Sequence, residues 1–216
     1  MDSIPTKNYI YIVFDTRYQE AVVIDPVGDI NKIENTLSRL NLKLKGILIT
    51  HTHFDHIGLV APIVDQYQCK VWVSSEEYKS LHLSLDKIVI IDEEASFNVA
   101  KMAVKPLLTP GHTNGSICYL IGDNLITGDT LFIEGCGTCF GENSDPALMF
   151  SSLKKLKNII SPTTSIFPGH SYGQSPGKPF KFLLANNIYL QFTDIQEELF
   201  ISFRMRKSQE KLFNFN

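Results

Sequence analysis

Long apolar runs are missing from this chain. None approaches the roughly 20 residues that a membrane span requires, so no transmembrane helix is expected. No basic segment followed by an apolar stretch stands near Met1, so export by a standard signal peptide is not expected, and a cytoplasmic location is the simplest reading. Cysteine is scarce, with four residues in 216, and Cys69 and Cys118 lie far from the others, which fits a reduced chain. Cys136-x-x-Cys139 lacks both a thioredoxin-like context and the second cysteine pair that four-coordinate zinc needs, so a structural or site-wall role is expected. Internal repeats and low-complexity tracts are absent.

Histidine is also rare, six residues in all, yet three of them fall in the six-residue run His51-Thr52-His53-Phe54-Asp55-His56. Four of its six side chains are strong ligands for a divalent cation. The run follows Gly46-Ile47-Leu48-Ile49-Thr50, which reads as a buried strand delivering the ligands at its C-terminal end. In extended geometry His51 and His53 point to one side, and a turn into helix near Asp55 swings the next two ligands toward a second point. One loop can thus serve two metals. The helical protease pattern, two histidines four apart with Glu between them, does not occur.

Ligand-type residues recur at strand ends downstream. His112 follows the apolar run Val104 to Leu108 and a Pro-Gly turn. Asp129 follows the second strand of a hairpin turning at Gly122-Asp123-Asn124, and His170 follows Thr164 to Phe167 and another Gly. Strands are expected at about 9–14, 20–25, 46–50, 71–74, 88–91, 104–109, 117–121, 125–128 and 164–167. Helices are expected at 30–40, from the metal loop to about Gln66, and at 146–158. His82 reads as a surface helix residue. Hairpins first and alternating elements later suggest two packed sheets flanked by helices.

These residues resemble the metallo-β-lactamase superfamily, specifically its glyoxalase II-like branch. The matching elements are His51-x-His53-x-Asp55-His56, Gly111-His112-Thr113, Gly128-Asp129-Thr130-Leu131-Phe132, Gly135-Cys136-Gly137 and Gly169-His170, spanning about residues 9 to 172 in order. The resemblance implies an α/β fold, the four-layer αβ/βα sandwich. It is expected as a single domain over 1–216, with a loop and short helical extension at 173–216 packed on it. It implies that His51, His53 and His112 hold one metal, Asp55, His56 and His170 the other, and that Asp129 bridges them. The ions expected are two divalent metals, zinc first, with iron or manganese as alternatives. His112 and Asp129, where many true β-lactamases differ, and His53, where the diiron flavoproteins carry Glu, narrow the branch.

Two divalent ions opposed by Asp55, Asp129 and one hydroxide leave an electrophilic site. A metal lowers the pKa of bound water from about 15.7 to about 7, and two ions can share that hydroxide while polarising a carbonyl. Asp55 is placed by the resemblance to orient the hydroxide and relay its proton. Acyl-transfer hydrolysis follows without a serine or cysteine nucleophile.

The substrate is read from Thr138, Phe140, Tyr172 and Lys178. Glyoxalase II enzymes usually carry a basic residue where Thr138 stands, so part of a glutathione clamp is absent. The stretches Pro168 to Gly173, Pro176 to Phe180 and Asn187 to Phe192 resemble the stand-alone hydrolases that accompany bacterial polyketide synthases using separate acyltransferases. That resemblance implies hydrolysis of acyl thioesters on pantetheine-bearing carrier proteins, without nucleic acid or membrane as partner. A hydroxyacylglutathione hydrolase, a mononuclear-iron persulfide dioxygenase and a non-catalytic carrier-protein binder are the alternatives.

Charge is uneven. After residue 150 there are nine Lys/Arg against four Asp/Glu, and before it eleven against nineteen. Either this is solvated surface, or Lys154, Lys155, Lys157, Lys178 and Lys181 receive an anionic partner by long-range attraction. The apolar tail residues Phe182, Leu183, Ile188, Leu190, Phe192, Leu199 and Phe203 are expected to pack on the core or line a channel.

Overall fold

A computed structural model describes residues 7–81 and 86–206; His82 lies outside them. In chain order the elements begin with β1 (Lys7–Asn8), β2 (Tyr11–Asp15), β3 (Glu20–Ile24), α1 (Ile30–Arg39), β4 (Lys43–Leu48), α2 (Phe54–Ile57) and α3 (Val60–Tyr67). They continue with β5 (Lys70–Ser74), α4 (Ser75–Ser80), β6 (Ile88–Ile91), β7 (Phe97–Val99), β8 (Met102–Leu108), β9 (Ile117–Ile121) and β10 (Asn124–Gly128). The last are α5 (Pro146–Ile159), β11 (Ser165–Pro168), β12 (His170–Ser171), β13 (Lys178–Pro179), α6 (Phe180–Asn186), α7 (Ile188–Phe192) and α8 (Glu197–Arg204).

Two main sheets form, a five-stranded one in the order β2-β3-β4-β5-β6 and a six-stranded one in the order β13-β11-β10-β9-β8-β7. The alternation of side chains along each strand separates the layers. Ala21 and Val23 of β3 and Val71 and Val73 of β5 face outward onto α1 and α3. Val22, Ile24, Leu48 and Trp72 face inward and meet Val104, Ile117, Tyr119 and Ile126 of the second sheet. Leu107, Cys118 and Leu125 turn to the far side, where α5 to α8 cover them. The architecture is therefore the expected αβ/βα sandwich, with three apolar layers, alternate residues of each strand filling the layers on the two faces of its sheet.

The expected single helix after the metal loop is divided. The Leu59 N–H donates to the Pro26 carbonyl at 2.9 Å, so it leaves the helical ladder and α2 ends before α3 begins. The short strands β1, β7, β12 and β13 were not legible, being two or three residues long. β13 stitches the Gly173 to Pro179 stretch to β11, with the Gly177 N–H donating to Ile166 at 2.7 Å.

In the tail, Leu183 and Leu190 are buried, with Phe182, Phe192 and Phe203 packed beside them. Ile188 and Leu199 instead are exposed, so packing on the core does not hold for these two. The lysine cluster is also largely engaged within the chain. Lys155 pairs with Glu94, Lys157 with Asp194, and Lys154 and Lys178 stand over the Phe150 and Phe182 rings. Among the described residues no helix is long and apolar enough to cross a membrane.

Candidate metal centre

β4, β8, β10 and β11 each end on one side of the sandwich and hand over to a ligand-bearing loop. The structure brings the seven sequence-predicted donors together there. Ligand atoms of His51, His53 and His112 lie within 4.8 Å of one another, and so do those of Asp55, His56 and His170. Asp129 stands between the two groups. Its Oδ2 is 3.5 Å from His112 Nε2 and 3.2 Å from His170 Nε2, and its Oδ1 is 3.5 Å from His56 Nε2.

These distances suit metal ligation. Two donors each 2.0–2.1 Å from a tetrahedral ion stand about 3.3–3.4 Å apart. The His56 and His170 Nε2 atoms are 3.3 Å apart, and His112 Nε2 faces His53 Nδ1 at 2.9 Å. The His51 Nε2 and Asp129 Oδ1 atoms are buried without a hydrogen-bond partner among the described residues. Gly169 keeps the space open: a methyl group there would overlap the Asp129 carboxylate and crowd the His56 ring.

Burial, then the neighbouring His56, holds His51 well below the usual imidazole range, and burial also lowers His112 despite Asp129. Both are thereby kept neutral, as a metal ligand must be. For His56 burial pushes down, but the Asp129 and Asp25 carboxylates outweigh it and raise the group to about 9. His170 is raised against burial by Asp129. Burial opposes ionisation of Asp129, yet His170 and His56 hold its carboxyl well below the ordinary value. A proton and a metal ion thus compete for the His56 and His170 nitrogens.

Three residues that position the candidate ligands were missed by sequence reasoning. Asp25, after β3, accepts from the Thr50 N–H at 2.8 Å, from Thr50 Oγ1 at 2.6 Å and from His56 Nδ1 at 3.0 Å. Thr50 Oγ1 then accepts from His51 Nδ1 at 3.1 Å, so one carboxylate fixes the tautomer of two histidines and aims both Nε2 atoms inward. Asp25 also falls within a ligand-sized group with His51 and His56. Its oxygens are already committed to these donors, so we assign it to orientation rather than ligation.

Glu77, in the first turn of α4, clamps two ligand loops. One oxygen accepts from Thr52 N and Oγ1, both at 2.6 Å; the other accepts from Thr113 Oγ1 at 2.5 Å and Gly115 N at 3.2 Å. Asn8 pairs with His170 in the β1–β12 ladder and donates to Asp55 at its carbonyl, 3.0 Å, and at Oδ2, 3.1 Å. The available signals were weak: an Asp closing an apolar strand, an acidic residue after a Ser cap, and an Asn in a two-residue strand.

Asp25→Ala is expected to weaken metal affinity about 10–100-fold, the usual cost of losing a partner that orients a ligand. Competition with a chromogenic chelator measures this. An unchanged affinity would remove Asp25 from the centre.

The expected substrate residues divide. Tyr172 stacks obliquely on Phe132, with centroids 5.1 Å apart, and Phe132 meets His170 at 5.9 Å, so an aromatic wall borders this side of the cluster. Burial, then Asp129, raises the Tyr172 hydroxyl far above its ordinary value. Thr138 is exposed, and its carbonyl accepts from His112 Nδ1 at 2.8 Å. Phe140 is 43% exposed, and Phe54, between His53 and Asp55, is 87% exposed, so apolar surface is offered beside the site. Lys178 sits on edge strand β13, over Phe182. Cys136 and Cys139 are free, buried thiols that burial raises, Cys139 to about 11, which fits wall residues rather than a reactive pair.

A four-layer sandwich that gathers buried His and Asp donors where its strands end is the framework of a metal-dependent hydrolase. The chain belongs to the metallo-beta-lactamase superfamily, whose family model matches residues 5–170. It is 38% identical over 208 residues to the probable polyketide biosynthesis zinc-dependent hydrolase PksB of Bacillus subtilis, covering 96% of this chain and 92% of that one. It is 31% identical to a hydroxyacylglutathione hydrolase of Shewanella halifaxensis, over 83% of this chain and 68% of the other. The crystal structure of ETHE1 from Myxococcus xanthus shares the fold, with a TM-score of 0.80, 24% identity, and coverage of 96% and 91%.

Proposed function

We propose that this protein hydrolyses acyl thioesters, acting in the cytoplasm on pantetheine-linked acyl groups of carrier proteins in polyketide biosynthesis. The observation that carries the hydrolytic reading is the position of Asp129 against both donor groups at once, 3.5 Å from His112 and 3.2 Å from His170. In this reading His51, His53 and His112 hold one ion, Asp55, His56 and His170 a second, and Asp129 is shared. Zinc is the metal we favour; an all-nitrogen and oxygen donor set also accepts iron or manganese.

When bound, two such ions lower the pKa of a coordinated water toward neutrality and polarise a carbonyl oxygen. The chain's own groups do the rest. Asp55, steadied by Asn8 and 3.5 Å from His170 Nε2, accepts and relays a proton. Asp25 and Glu77 hold the ligand loops in register. Phe132 and Tyr172 shield the His170 side from water, and Phe54 and Phe140 offer apolar surface to an acyl or pantetheine chain.

Support for the substrate comes from similarity to PksB over nearly the whole chain. Thr138, with a neutral side chain where glyoxalase II enzymes usually carry a cation, argues against glutathione as the thiol. Across a panel of acyl-carrier protein, acyl-coenzyme A, acyl-cysteamine and S-lactoylglutathione, kcat/KM is expected to be highest for the acyl-carrier protein. Preference for S-lactoylglutathione would overturn the substrate assignment. One iron per chain with oxygen consumption on glutathione persulfide would overturn hydrolysis itself.

A further inference from the structure

The C-terminal helix α8 lies beyond residues 5–170, the span shared with the family model, yet its last residue reaches the metal centre's supporting loop. Arg204 is fully buried, and its Nε donates to the Gly137 carbonyl at 2.8 Å. Its guanidinium lies 5.7 Å from the Phe140 ring and 5.8 Å from the Tyr189 ring, so two aromatic faces hold its plane. Its charge also opposes the rise that burial imposes on the Cys136 and Cys139 thiols.

The loop on the other side of that hydrogen bond touches two proposed ligands. A methyl group at Gly137 would overlap the Asp129 carbonyl oxygen and stand 3.0 Å from His112 Nδ1, so only glycine allows this approach. The next residue, Thr138, supplies the carbonyl that accepts from His112 Nδ1. The segment from Gly137 to Phe140 is therefore pinned between Arg204 on one side and His112 and Asp129 on the other. If it moves outward, His112 loses the acceptor that fixes its tautomer and ring plane.

We infer that Arg204 is a positioning residue that, through the Gly137 and Thr138 backbone, aligns His112 and Asp129 and so makes α8 a working part of the metal centre. This rests on the ligand reading above. It assigns the tail a role in metal affinity that burial of its apolar residues would not require. The guanidinium is suited to this because it combines a directed N–H with a planar body that fits between rings, which an ammonium does not.

The test compares Arg204→Met, Arg204→Lys, Phe203→Leu and His112→Ala, using competition with a chromogenic chelator, metal content and thermal unfolding of the full chain. Arg204→Met is expected to weaken metal affinity about 10–100-fold. Arg204→Lys, which keeps a donor and the charge, is expected to recover part of that loss, and it supplies the comparison if Arg204→Met does not fold. Phe203 packs on Phe192 and Tyr189, so Phe203→Leu should lower the melting temperature and leave metal affinity unchanged. Wild-type affinity in both Arg204 variants, with only a lower melting temperature, would overturn the inference and leave Arg204 as a tail anchor. His112→Ala separates the two claims, since unchanged metal binding there would sink the ligand reading itself.

Discussion

Asp129→Ala is expected to lose both metal equivalents together and to lower hydrolysis by about 10³-fold or more, the several kcal/mol that metal catalysis contributes. The residue faces His112 of one donor group and His56 and His170 of the other. Removing a ligand from one group alone should reduce metal content in steps. Removing Asp129 should not, and metal analysis beside kcat/KM on the same sample distinguishes the cases. A variant retaining one tight equivalent would show that Asp129 belongs to one ion only.

Asp55→Asn is expected to lower kcat about 10²–10⁴-fold, the range for loss of a positioned proton acceptor. The amide keeps the shape of the side chain but not its basicity. His51, His53 and His112 are untouched, so one metal equivalent should stay bound while the second weakens. KM should change less than kcat. Asn8→Ala, which frees the Asp55 carboxylate from its donor at 3.1 Å, is the milder comparison. Full activity in Asp55→Asn would move proton transfer to another group.

The donor set was legible because each member announces itself locally. His51 to His56 are adjacent in sequence, and His112, Asp129 and His170 each follow an apolar strand and a glycine. Their supporting residues carry no such signature. Asp25 meets His56 across 31 positions, Glu77 meets Gly115 across 38, Asn8 meets Asp55 across 47 and Arg204 meets Gly137 across 67. An acid or an amide at these places looks like any other until the sheets bring its partner near. The lysines of the C-terminal third show the converse. Read along the chain they form a basic cluster, but Glu94 lies 61 positions from Lys155 and engages it across the fold.

The sequence by itself determined the chemistry and the layers. Donor type, donor order and strand alternation are properties of neighbours along the chain; they point to a His/Asp metal loop and two packed sheets, and the family resemblance those residues carry implies the two-ion site and the αβ/βα sandwich. Only the tertiary structure decided how the cluster is held: that Asp25 lies against Thr50 and His56, that Asp129 stands between the two donor groups, and that a buried arginine from the tail donates to the loop beside His112. Those are settled by distances of about 3 Å between residues dozens of positions apart, and hydrogen bonding at that range depends on packing rather than on sequence order.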